Sequence, residues 1–136
     1  MKFSYSDALN NFQNGKINEA KEICEEILKS ELNNFNAYYL LGVIAFQKKN
    51  YTKSNNLISK AIEINPNNSE FYNFKGIALI HLNKFDEAIE SWTKAIEIDP
   101  NSLDAYNNRG NALIKLKKNE LALKNFDQAL KLKPNF

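Results

Sequence analysis

A chain of 136 residues with 43% apolar content and a formal net charge of +2 suits one continuous packed core rather than a disordered tail. Its one cysteine excludes an internal disulfide and its one histidine excludes a two-histidine metal set. No apolar run is long enough to cross a bilayer, and residues 1–11 lack the apolar stretch of a secretion signal, so a cytoplasmic setting without membrane insertion is expected.

The prolines fall at Pro66, Pro100 and Pro134, thirty-four residues apart, and the blocks 1–34, 35–68, 69–102 and 103–136 align beneath one another. In block one Ala8 takes the eighth place and Gly15 the turn, while Ser4 and Leu32 stand where later blocks have an aromatic residue and proline. Block two carries Tyr38, Leu41, Gly42, Ala61 and Pro66, and block three carries Tyr72, Gly76, Ala88, Ala95 and Pro100. Within block three a first helix over about 71–82 is followed by the short turn Asn83-Lys84. Phe85, Ala88, Ile89, Trp92, Ala95 and Ile96 then recur at helical spacing on one stripe. Pro100 stops that second helix, and Asn101-Ser102 offer side-chain oxygens to start the next. Block four repeats the scheme with Tyr106, Gly110, Ala122, Ala129 and Pro134.

Two columns predict how the helices cross. Place 8 holds Ala8, Gly42, Gly76 and Gly110, and place 24 holds Cys24, Ile58, Trp92 and Phe126, so a small residue on one helix faces a large one on its partner. Places 20 and 27 are small in most blocks, which marks further close approaches. One hairpin alone buries too little apolar surface to offset roughly 1–2 kcal/mol of backbone entropy per residue, so the hairpins must stack.

These columns resemble the tetratricopeptide repeat family over about three quarters of the chain, with block one as an atypical terminal repeat. The resemblance implies an all-α, right-handed α-α superhelix of four helix pairs, about eight helices, forming one domain over 1–136. It implies a non-catalytic protein-interaction module that takes a peptide or helix of a partner in a concave groove lined by the first helices. Carried onto this chain, the groove places give Tyr5, Leu9 and Phe12, then Tyr39, Leu40, Val43 and Phe46, then Asn73, Phe74, Ile77, Ile80 and His81. The fourth block adds Asp104, Asn107, Asn108, Asn111, Ile114 and Lys115. Tyr39, Phe46 and Phe74 are expected as apolar anchors and Asn107, Asn108 and Asn111 as backbone-bonding amides, while place 12, which includes Phe12 and Phe46, is open to being covered by neighbouring helices. Neither register of the first helices reproduces the lysine and asparagine set with which chaperone-binding members grip a carboxylate. The run Tyr106–Leu113 resembles repeats ahead of bacterial glycosyltransferase-like or sulfotransferase-like domains, which leaves open a substrate-recognition part of a larger transferase.

Other chemistry finds little support. Every glycine has a structural place, so none remains for a phosphate-cradling loop, and Cys24 sits in a core column. His81 falls in a polar column as a solvent-facing residue. One arginine against seventeen lysines argues against nucleic-acid binding. No cofactor or catalytic residue is predicted. Block charges alternate as −2, +3, −3 and +4, and the lysines of block four read as a solvated face, with an acidic partner as the alternative. Lys75 and Arg109 replace the apolar residue of place 7, where a stem that covers apolar surface while its charge reaches water is expected, and a binding role is the alternative. Leu123, Leu130 and Leu132 leave the last helix without a polar cap. A continuation of the chain is expected to cover them; a second copy, pairing through the terminal repeat, or a spacer role without a foreign ligand are the alternatives.

Overall fold

A computed structural model describes residues 2–133, so Pro134 and the end of block four lie outside the described residues. Among them there are eight helices and no strand. They run α1 (Tyr5–Gln13), α2 (Ile17–Ser30), α3 (Phe35–Gln47), α4 (Tyr51–Ile64), α5 (Ser69–His81), α6 (Phe85–Ile98), α7 (Leu103–Lys115) and α8 (Asn119–Leu132). Two compact units divide between Pro66 and Asn67. In the first, the hairpins α1–α2 and α3–α4 stack through α2 against α3, with α1 beside α3; in the second, α5–α6 and α7–α8 stack through α6 against α7, with α5 beside α7.

The period is written into the helix ends. Asn34, Asn68 and Ser102 close one block and cap the next, accepting from the backbone N–H groups of Ala37, Glu70 and Ala105. Helix α1 is shorter than α3, α5 and α7 because Ser4 begins it: Ser4 Oγ accepts from Asp7 N–H at 3.3 Å while the Asp7 carboxylate accepts from Ser4 N–H at 2.8 Å. The serine that replaces the aromatic of place 4 is thus a cap. Helices α4 and α6 end two residues before Pro66 and Pro100, with Asn65 and Asp99 already outside the helical region. Helix α2 stops at the same place without a proline, and Leu32 there is 70% exposed.

Small and large residues meet as the columns predict. A Cβ added to Gly76 would lie 2.5 Å from Trp92, one on Gly42 would lie 2.6 Å from Ile58, and one on Gly110 would lie 2.8 Å from Phe126. Ala8, Ala20, Cys24, Ala61, Ala88, Ala95 and Ala105 are fully buried, and Trp92 is nearly so. The core of the first unit adds Ile23, Ile27, Leu40, Leu41 and Ile44; that of the second adds Leu79 and Ala112.

Each hairpin turns on a residue in the left-handed region at place 15: Gly15 (φ 79°), Lys49 (62°), Asn83 (60°) and Lys117 (60°). The following N–H then reaches back five residues, as Lys118 does to Leu113 at 2.8 Å. Glycine suits that conformation and lysine does not. Lys117→Gly is therefore expected to stabilise the chain by about 1 kcal/mol, read as a higher midpoint in urea denaturation; an unchanged or lower midpoint would refute the turn argument.

Candidate functional site

The first helices place the groove residues, and the two units use them differently. In the first unit Tyr5 and Phe12 are half-buried against the core, and Leu9, Tyr39 and Val43 are half-buried. Phe46 meets Tyr51 edge-on with ring centroids 5.3 Å apart, so it is held by its own hairpin. Leu40 departs from expectation. At 3% exposure it belongs to the core, in one cluster with residues of α1 and α2, and it is not available to a ligand.

In the second unit α5 and α7 bring several expected residues around one open cavity of about 180 Å3. Ile77, Ile80, Trp92 and Ala112 give it an apolar floor, and His81, Asn108, Asn111 and Lys115 form its rim. The Asn108 side-chain amide donates to Asn73 Oδ1 at 3.2 Å, which links α7 to α5 at the cavity edge. Trp92 Nε1–H donates to the Asn73 carbonyl at 3.1 Å, so the indole is fixed beneath α5 by a hydrogen bond as well as by packing. Phe74 and Asn107 are half-buried on the same helices and do not line the cavity. The contribution of Trp92 and Ala112 was hidden in sequence because both belong to core columns; only their position beside Gly76 and on the inward side of α7 turns one edge of each to the groove.

Charge is graded along this pair of helices. Glu70 and Asp104 lie in the first turns of α5 and α7, and His81 and Lys115 in their last turns, as the helix dipole favours at both ends. Eleven residues separate the two sets, about 16 Å along a helix. His81 is exposed, as its column predicts, and its Nδ1 lies 3.0 Å from the Ile77 carbonyl; a carbonyl only accepts, so Nδ1 carries the proton.

The place 7 residues also leave the family pattern in structure. Lys75 is half-buried. Arg109 is gripped, with Nε donating to Asn125 Oδ1 at 2.6 Å and Nη1 to Thr93 Oγ1 at 3.2 Å, rather than simply reaching water. The outer face of α8 is apolar where Leu123 and Leu130 are 62% and 54% exposed, whereas Leu132 is half-buried.

Three family profiles match the chain: one described as TPR repeat over residues 76–117, one as tetratricopeptide repeat over 103–136, and one as anaphase-promoting complex, cyclosome, subunit 3 over 13–95. Among solved structures, a crystal structure of MamA superposes with a TM-score of 0.89 at 25% identity, covering 93% of this chain and 74% of that one. The TPR domain of Arabidopsis OM64 superposes with a TM-score of 0.71 at 30% identity, covering 75% of this chain and 84% of that one. MamA residues 41 to end from Desulfovibrio magneticus RS-1 shares the fold, with a TM-score of 0.87 at 20% identity over 96% of this chain and 73% of that one. No curated protein sequence matches.

Nucleophilic chemistry is poorly served. Cys24 is fully buried, and its thiol is pushed up to about 12 by burial first and by the neighbouring Glu25 second. Among the described residues no group of three or more His, Cys, Asp or Glu side chains could hold a metal, and no helix is long and apolar enough to cross a membrane. A thiol whose folded pKa is raised gives stability that is complete below the unfolded value of about 9 and is lost as pH climbs toward 12. The folded protein is expected to leave Cys24 unlabelled by a disulfide reagent at pH 8 and to release one thiol equivalent on denaturation; rapid labelling without denaturant would contradict this burial.

Proposed function

Because the chain belongs to the tetratricopeptide repeat family, we propose that it is a non-catalytic protein-interaction module whose partner binds across the α5–α7 face. The cavity over Trp92, apolar at its floor and amide-rich at its rim, carries this reading. Its volume of about 180 Å3 suits one large apolar side chain of a peptide. Asn73, Asn108 and Asn111 bond the peptide backbone, and Phe74 and Asn107 extend the contact along the same helices. Tyr39, with Leu9 and Val43, supplies apolar surface in the first unit. Phe46 gives less than the sequence implies, since Tyr51 shares its ring.

The charge gradient orients the ligand. An acidic group belongs beside His81 and Lys115, and a basic one beside Glu70 and Asp104. The cytoplasmic setting read from the sequence is part of this proposal.

Selection of a random peptide library on the folded chain is expected to enrich an apolar residue with an acidic neighbour. Asn111→Trp, which fills the cavity from an exposed position, and Lys115→Glu are each expected to weaken a selected peptide at least tenfold, about 1.4 kcal/mol, with unchanged circular dichroism. Equal binding by both variants would refute the α5–α7 site.

The exposed leucines of α8 favour a second reading, self-association through the terminal repeat. Light scattering over a dilution series is expected to show mass rising with concentration in the wild type, and one chain at all concentrations in Leu123→Lys/Leu130→Glu. A wild-type mass of one chain throughout would end this reading.

A further inference from the structure

A second depression lies in the same unit on the side of the second helices, away from the cavity over Trp92. It measures about 260 Å3 and is lined by Arg109, Lys124, Asn125, Asp127, Gln128 and Lys131. Arg109 is fixed there by a side chain with no freedom of its own. Asn125 is 7% exposed, accepts from Arg109 Nε at 2.6 Å and donates its amide to the Leu121 carbonyl at 2.7 Å. Thr93 Oγ1 accepts from Nη1, and the guanidinium lies 5.7 Å from the Tyr106 ring centroid. Among the described residues Nη2 has no hydrogen-bond partner, and no carboxylate pairs with Arg109, Lys124 or Lys131 within 4 Å.

The fold does not need this arrangement. Places 7 and 23 hold Arg109 and Asn125 in block four and Leu41 and Leu57 in block two, where both leucines line one cleft and join the apolar core. An apolar pair therefore suffices for the helix crossing, and the fourth block has exchanged it for a held cation. Burial lowers the guanidinium from its ordinary pKa, which is the expected cost of holding a charge half out of water without a counter-ion. Asp127 offsets one of the three positive charges, leaving an excess of two in the depression.

We propose that this depression binds a phosphoryl group, either as free phosphate or as a phosphomonoester, through Arg109 Nη2 and the ammonium groups of Lys124 and Lys131. A planar carboxylate is gripped best by a paired edge of a guanidinium, and here Asn125 takes the one Nε–H, which closes the edge that Nε shares with its neighbour, while Thr93 takes one of the two Nη1 protons. Three separate cationic donors instead suit a tetrahedral dianion whose oxygens point in different directions. The Asp127 carboxylate and the open surface hold the affinity down and make the site selective for charge of two or more.

Because the chain has one arginine, Arg109 gives a single Nε–H signal in a proton–nitrogen correlation spectrum. The full chain is titrated at constant ionic strength with inorganic phosphate, O-phosphoserine and acetate. Saturable movement of the Arg109 signal is expected with a phosphoryl ligand, with acetate at least tenfold weaker. Saturation by inorganic phosphate alone identifies the free ion as the ligand, and saturation by O-phosphoserine identifies the ester; either supports the site. Lys124→Gln/Lys131→Gln is expected to weaken the response at least tenfold. Arg109→Leu/Asn125→Leu, which installs the block-two pair without stranding Asn125, is expected to keep the helical circular dichroism and to abolish phosphate binding measured by equilibrium dialysis. An unsaturable drift equal for phosphate and acetate overturns the proposal, as does binding that survives in both double variants.

Discussion

The absence of a side chain at Gly42, Gly76 and Gly110 governs the packing of three of the four hairpins. At each, the space that a Cβ would occupy is filled by the large residue sixteen positions later, Ile58, Trp92 or Phe126. The two helices of a hairpin can then lie close enough for fully buried alanines such as Ala61, Ala88 and Ala95 to complete the contact without voids. The same close approach fixes which way the first helix faces. With places 3, 8 and 10 turned inward, its remaining faces fall to the groove side and to the side of the second helices. The α5–α7 cavity exists because Trp92 fills the crossing under Gly76 and still offers one edge to the groove, where its N–H is tied to the Asn73 carbonyl.

Between crossings, geometry is kept by backbone bonds rather than by particular side chains. The place 15 residue takes positive φ in every hairpin, yet only one of the four is glycine. The turn is over-determined by the i to i−5 bond behind it and by the packing of the helices it joins, so lysine can occupy a conformation it disfavours. Capping is likewise uneven. First helices are capped by Ser or Asn side chains, whereas α2, α6 and α8 start at lysines without a side-chain cap. Helices α2 and α6 lean on both neighbours through an apolar stripe, and that burial stands in for the missing cap.

Residue spacing made the helices, their pairing and the small-to-large crossings readable, because a thirty-four-residue period samples each contact several times. What stayed hidden is what breaks the period. Ser4 reads as a missing aromatic, and only the reciprocal bonds with Asp7 reveal it as the start of a shortened helix. Leu40 falls on a groove place by register, but it is buried in one core cluster with Ala8 of α1 and Ala20, Ile23 and Ile27 of α2. Phe46 has the spacing of a ligand contact and the geometry of a ring partner to Tyr51. Register states the direction of a side chain around its helix; it does not state what lies there.

Arg109 shows the same limit in a more instructive form. A long cationic side chain at an apolar column is usually accommodated by bringing its charge to water, and sequence alone weighs in that direction. The outcome turns on a second column: place 23 is Ile23 and Leu57 in the first two blocks but Ser91 and Asn125 in the last two. Only Asn125 has an acceptor long enough to hold the guanidinium, so the same substitution at place 7 need not have the same consequence for Lys75 above Ser91, whose hydroxyl instead bonds the Glu87 carbonyl. A departure from a repeat consensus is therefore interpretable only with the residue it faces. When both members of a facing pair change together, from Leu41 and Leu57 to Arg109 and Asn125, the exchange preserves packing while altering the surface chemistry, and it is there that a repeat can acquire a task its siblings lack.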